Sequence, residues 1–334
     1  MPTRHRLFDV SRLRIRPLAE RTHDLDFAAV DCAAKSAPRP TGAVRPALQT
    51  VAERLVAARE SGAARVLMMG AHVLRSGVQP YLKDLLARNV VSQIAVNGAC
   101  LIHDFELALL GATTESVARY IRDGQFGMWR ETGRINDIVA RGNAQGLGLG
   151  EALGREIAQG DYPHKSLSLL AAAWELGVPV TAHVSIGQDI IHQHPNFDGA
   201  AWGAASQRDF LIFAAGLERL EGGVVMNFGS AVMAPEVFLK ALAMVRNAAA
   251  QEGREVRRFA SLVCDLHELP EDFRAEAPRG SAAYYFRPWK TMLVRTVADG
   301  GEGFYCRARH DESIPELWTA LDRLDKATGA AGLP

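Results

Sequence analysis

Residues 65–98 read RVLMMGAHVLRSGVQPYLKDLLARNVVSQIAVNG. Two short apolar runs, RVLMM and SQIAVNG, bracket VQPYLKDLLARN, whose apolar residues recur at helical spacing. Strand, helix and strand in that order make a parallel βαβ unit. Parallel strands need a crossover, and both their faces are covered, so they read as continuous Val/Ile/Leu-rich runs.

The same order continues on either side. ALQTVAERLVAARESG (47–62) is helical up to Gly62. Further apolar runs are VPVTAHVS (178–185), GGVVMNFGS (222–230), RFASLVCDL (258–266) and TMLVRTV (291–297). Helical segments such as 164–177 and 206–222 separate them. This predicts an α/β fold with a doubly wound, mostly parallel sheet of about six strands, of Rossmann type. Residues 1–45 are read as an arm wrapping the body or a partner subunit. Residues 46–328 form a single domain, and 329–334 are a tail. The Gly-rich stretch 111–154 is long for a crossover and is a candidate lid or active-site insertion.

Composition narrows the function classes. In 334 residues, 38 Lys+Arg balance 38 Asp+Glu. That argues against a protein that coats nucleic acid or an anionic membrane, which needs a basic excess. No apolar stretch is long enough for a transmembrane helix, and the N-terminus lacks the apolar core of a signal peptide. Cys32, Cys100, Cys264 and Cys306 stand far apart without metal or redox spacing, which fits reduced thiols in a cytoplasmic protein. Only six residues are lysines, so lysine chemistry has few candidates.

Ligands of open parallel sheets bind beyond the carboxyl ends of the strands. There the chain places His72, His103, His183, His192, His194 and His267, six of its ten histidines. Gly77, Gly98 and Gly229 read either as βα turns or as points where the backbone nears a dinucleotide phosphate. His103-Asp104-Phe105-Glu106 reads either as an ordinary helix start or as carboxylates gripping an amine or a ribose hydroxyl. HVSIGQDIIHQHP (183–195) reads first as residues binding polar substrate groups. His192 and His194 stand two apart, a poor spacing for one metal on a helix, so no metal site is expected. Lys290 beside Trp289 reads as a solvated or cation–π lysine, or as an amine able to form an imine.

The order of these motifs resembles the deoxyhypusine synthase family over roughly residues 50–325. Arg75-Ser76-Gly77 is similar to its Ser-Ser-Gly turn. Asn97-Gly98-Ala99 leading to Ile102-His103-Asp104 is similar to its Thr-Ala-Gly-Gly to Glu-Glu-Asp stretch. Ile186–Ile191, with His194 beyond, is similar to Ser-Leu-Gly-Asp-Met-Ile and its following His. Phe228–Ala231 resembles the triple-glycine turn, and Pro288-Trp289-Lys290 resembles Ser-Trp-Gly-Lys. The resemblance implies an NAD-dependent enzyme that moves an aminoalkyl group from a polyamine through an imine on Lys290 to an acceptor amine. His194 and Asp189 would be catalytic beside Lys290. Asp104, Trp289, His103 and His183 would bind substrate. Ser76, Gly77, Asn97, Gly98, Gly229 and Ser230 would line the NAD site. It implies a homotetramer or homodimer with active sites at subunit interfaces. Met233-Ala234-Pro235 stands where the family has Lys-His-His, and Glu268–Asp272 replaces its ribose-gripping loop, which points to a small-molecule acceptor rather than a protein. The alternatives are an NAD-binding protein without imine chemistry, and a metal-dependent hydrolase built on His183, Asp189, His192 and His194.

Overall fold

The computed structural model describes residues 3–27 and 37–331. The parts of the arm and tail at 28–36 and 332–334, with Cys32 and Lys35, lie outside the described residues. Six strands form one parallel sheet: β1 (Arg65–Met69), β2 (Gln93–Asn97), β3 (Val180–His183), β4 (Val224–Phe228), β5 (Ala260–Asp265) and β6 (Glu302–Arg307). Their order is β3-β2-β1-β4-β5-β6, with every pairing parallel. This is the doubly wound, Rossmann-like arrangement, in which strand order reverses between β1 and β4.

The helices are α1 (Pro46–Ser61), α2 (His72–Arg75), α3 (Gln79–Ala87), α4 (Gly98–Leu110), α5 (Val117–Tyr120), α6 (Arg130–Ala144), α7 (Leu149–Gln159), α8 (Leu169–Glu175), α9 (Gly199–Leu217), α10 (Met233–Gln251) and α11 (His310–Ala331). Alternation along the strands divides the core in two. Leu67, Met69, Ile94 and Val96 pack with α1, α3, α4 and α11 on one face. Val66, Met68, Ala95 and Val225 pack with α9 and α10 on the other.

One expected strand is a helix. Residues 288–295, which include most of the TMLVRTV run, form a π-helical stretch. Trp289, Met292, Leu293 and Val297 recur at helical spacing and bury one face against α10. Pro288 sits in its first turn, where a missing N–H costs nothing. The sixth strand is instead Glu302–Arg307, half-exposed at the sheet edge and without a Val or Ile.

The arm follows the body of this same chain. Leu25–Asp26 pairs antiparallel with Ala112–Thr113, and Leu18 is buried with Tyr120 and Trp129. The 111–154 insertion is a packed helical layer rather than a loose loop. Its glycines admit close neighbours: a Cβ on Gly142 would lie 2.5 Å from Ala152 Cβ, and one on Gly150 would lie 1.9 Å from the Val180 carbonyl oxygen.

Gly150→Ala should therefore push α7 off β3 and lower unfolding free energy by about 1–3 kcal/mol. Gly203→Ala, inside α9 with nothing near its missing Cβ, should raise it by roughly 0.5–1 kcal/mol. Urea unfolding of both variants measures the difference.

Candidate functional site

The carboxyl ends of the strands form a rim with two cavities. The first, about 420 Å³, lies at the strand-order reversal, between the ends of β1 and β4 and beside those of β5 and β6. His72, Gly229, Asp265, His267, Arg309 and His310 are among its walls. Here two turns close on each other. A Cβ on Gly70 would sit 2.7 Å from the Gly229 carbonyl oxygen. Gly229 has φ +65°, and a Cβ there would sit 2.4 Å from His310 Nε2. Burial holds His310 below the usual histidine range, and its Nδ1 is buried without a hydrogen-bond partner among the described residues. His267 stacks on Phe286 and bonds Asp265 Oδ1 through Nδ1 at 2.8 Å.

The second cavity, about 220 Å³, lies beside the ends of β2 and β3. α4 supplies Ala99, Ile102 and His103, the segment after β3 supplies Gln188 to Ile190, and the start of the insertion supplies Glu115, Val117 and Phe126. A hollow lined by His72, Arg75 and Ser76 shares Arg75 with this cavity and His72 and Ser76 with the first.

His103 has a defined proton arrangement. Glu106, 1% exposed, is gripped by Arg21 through two bonds of 2.8 Å. It also receives the Thr132 and Thr113 hydroxyls, each at 2.7 Å. Burial pushes Glu106 up, but Arg21 and the hydroxyls more than offset it and leave it below the usual carboxylate range. An ionised carboxylate only accepts, so Thr113 spends its one proton on Glu106. Thr113 Oγ1 must then accept from His103 Nδ1, 2.7 Å away. His103 Nε2 is left as a bare lone pair at the cavity. Burial lowers the His103 pKa to about 4 and keeps the ring neutral.

Asp189 faces it from the segment after β3. Its side chain is 11% exposed, and burial raises its pKa to about 6. A Cβ on Gly98 would fall 2.1 Å from Asp189 Oδ2, so only glycine lets the carboxylate rest there. His192 Nδ1 accepts the Gly187 and Asp189 N–H groups at 3.0 and 3.2 Å. That leaves the His192 proton on Nε2, 3.8 Å from Asp189 Oδ2.

The structure brings His103, Asp189 and Gly98 together, and Ser76 and Gly229 line the first cavity. Asn97 caps α4 by accepting the Cys100 N–H. Gly77 takes a left-handed turn after α2, with φ +73°. Ser230 is buried and caps α10 by accepting the Ala234 N–H. Other expectations are corrected. Asp104 is 0% exposed; its oxygens accept the Ser168 hydroxyl and the Leu169 and Leu170 N–H groups, capping α8, so it reaches no ammonium. His183 is buried against Phe213 and bonds Thr181. His194 bonds the Gly127 carbonyl at 2.7 Å. With those two turned into the protein, the hydrolase set does not converge. Among the described residues no three His, Cys, Asp or Glu side chains are grouped to hold a metal. Trp289 and Lys290 lie on the face of the sheet away from α4, Trp289 bonding the Phe273 carbonyl and Lys290 lying 3.9 Å over the Tyr284 ring. Neither lines the two cavities. Sequence reading missed Arg21, Thr113, Arg309 and His310. Arg21 and His310 meet distant parts of the chain, whereas Thr113 and Arg309 pair nearby, with His103 and Glu106 and with Asp311, in no recognisable motif.

No protein-family model and no curated protein matches this chain. Solved structures do. The apo form of ArgZ, an arginine dihydrolase of the cyanobacterial ornithine-ammonia cycle, superposes with a TM-score of 0.50 at 14% identity, over 85% of this chain and 34% of its own. Unliganded AgrE gives 0.50 at 14% identity, over 83% and 32%. The chain thus spans about a third of the length of these proteins. A candidate deoxyhypusine synthase from Entamoeba histolytica gives 0.44 at 9% identity, over 85% and 90%, a likeness too loose to assign the family. The likenesses to ArgZ and AgrE establish a related Rossmann-like fold.

The proton arrangement is directly measurable. ¹⁵N shifts should show His103 with Nδ1 protonated and Nε2 bare at neutral pH, titrating near pH 4 rather than the usual 6.5. Thr113→Val should mix the tautomers. A midpoint near 6.5, or protonated Nε2 in the wild type, would contradict the hydrogen-bond chain.

Proposed function

We propose that this chain is an NAD-dependent enzyme acting on a primary amine, carried by a single domain over residues 46–328. The observation that carries the reading is the crevice at the strand-order reversal, joined along the rim to a cavity that offers a carboxylate and a neutral imidazole. Dinucleotides bind at such reversals in open α/β sheets.

The residues fit the cofactor. Gly229, at φ +65°, lines the crevice at the turn after β4, where a pyrophosphate would approach. Arg309 would supply donors for it, and Asp265 would supply an acceptor for a ribose hydroxyl. The unpartnered His310 Nδ1 lies at the same turn. Bound NAD would supply a hydride acceptor for the carbon carrying the amine. On the protein side, Asp189 would hold the ammonium by a charge-assisted hydrogen bond. His103 Nε2 would accept a second N–H and orient the amine. The apolar walls at Ile102, Val117 and Phe126 would exclude water. The relatives bear on the choice only through their descriptions: ArgZ is an arginine dihydrolase, and an AgrE variant is described in complex with L-arginine.

A second reading is aminoalkyl transfer through an imine on Lys290, in a homotetramer or homodimer. One observation favours it: Lys290 is 8% exposed and makes no ion pair among the described residues. Its place on the far face means that a second copy would have to bring the donor site to it.

NADH fluorescence and calorimetry should show NAD⁺ or NADH binding below about 1 mM. Gly229→Val should weaken it at least about tenfold, because the side chain meets His310 in a strained backbone. Absence of binding at that concentration overturns the proposal. Borohydride with NAD⁺ and a polyamine should leave a mass adduct at Lys290 only if the second reading holds. Undiminished turnover in Lys290→Ala would exclude it.

A further inference from the structure

The charged side chains around the second cavity are engaged unequally. Arg21 and Glu106 neutralise one another within the wall. Glu115 is occupied by the Trp129 indole N–H and the Gly127 N–H. His103 and His192 are neutral, both held below the usual histidine range chiefly by burial. Glu115 keeps its charge, but both its oxygens are taken by those neutral donors; the charged groups left without such partners are Arg75 and Asp189. Among the described residues Arg75 makes no ion pair; its guanidinium touches only His72 Nε2, at 3.3 Å. Among the described residues the only ion-pair contact of Asp189 is the neutral His192 ring. Arg75 and Asp189 do not reach each other, although both line the same cavity.

A cation and an anion left unpaired in one small, partly apolar cavity cost free energy unless a ligand completes them. An alkylamine would complete only Asp189. A carboxylic acid would complete only Arg75, whose planar fork suits a carboxylate. From this we infer that the cavity takes a free amino acid, its ammonium on Asp189 and His103 Nε2, its carboxylate on Arg75, and its side chain along Ile102, Val117 and Phe126. His103 sharpens the choice. The chain from Arg21 through Glu106 and Thr113 fixes it as an acceptor at Nε2, so it favours a donor group and disfavours a carboxylate placed the wrong way round. This rests on the amine-binding reading above and narrows its substrate class.

Calorimetry with three probes of matched length tests it: L-norvaline, n-pentylamine and pentanoate. Norvaline should bind at least about tenfold more tightly than either of the others. Arg75→Met should bring norvaline down to the level of pentylamine, and Asp189→Asn should bring it down to that of pentanoate. Both side chains sit on the rim, and thermal unfolding of the variants would confirm that they are folded. Equal binding of pentylamine and norvaline, with no effect of Arg75→Met, overturns the amino-acid inference and leaves the amine reading standing. No binding of pentylamine or norvaline overturns both. Binding of norvaline that both variants retain shows a site elsewhere and overturns the assignment of this cavity.

Discussion

A buried, ionised Glu106 is the constraint on which the rim depends. An uncompensated carboxylate at 1% exposure would cost several kcal/mol. Here four contacts satisfy it, and they come from three places: Arg21 in the arm, Thr113 after α4, and Thr132 in α6. The group therefore ties arm, insertion and sheet rim together. Each partner is held for the sake of the charge, and each fixes something else in turn. Arg21 fixes the path of the arm, Thr132 fixes α6, and Thr113 fixes the proton on His103. A structural ion pair in the cavity wall thus sets, through one hydroxyl, which nitrogen of His103 is open to a ligand.

The sheet supplies the other half of the arrangement. Parallel pairing sends every strand end to the same edge, and the reversal between β1 and β4 opens that edge. Residues after all six strands meet there although they are scattered through the chain. The glycines at the reversal are needed for contact between backbones, as the 2.7 Å approach of a Gly70 Cβ to the Gly229 carbonyl shows. The glycines of the insertion serve a similar purpose between helices. Gly98 is a different case, because the group that occupies the missing side chain is the carboxylate of Asp189.

How much of this was legible follows from what each signal depends on. The five buried strands were readable because burial on both faces keeps the runs mostly apolar, although Arg65, Gln93, Thr181, Asn227 and Ser261 are buried within them. The edge strand Glu302–Arg307 was not, since exposure lets Glu302 and Arg307 stand in it. The run at 291–297 looked extended by composition, yet its buried residues keep a helical period that extends back to Trp289. That histidines gather after strand ends was readable from the sequence. Which of them face a cavity was not, because His183 and His194 are turned inward by partners at Thr181 and Gly127. Arg21 carries no local signal at all, since its partner is 85 residues away.

Asp104 and Asp189 show what separates a structural carboxylate from one available to a ligand. Both are raised by burial to about 6, so the shift alone does not distinguish them. Asp104 is met by a hydroxyl and two backbone N–H groups at the start of α8, and none of its surface is open. Asp189 caps a single turn, lines a cavity, and has only a neutral imidazole near its second oxygen. The formal charge of zero hides this difference because it sums over pairs that are already made. Once the Arg21–Glu106 pair and the fully hydrogen-bonded Glu115 are set aside, Asp189 and Arg75 are the charged groups of the second cavity still open to a partner, and the ligand has to be found in their chemistry.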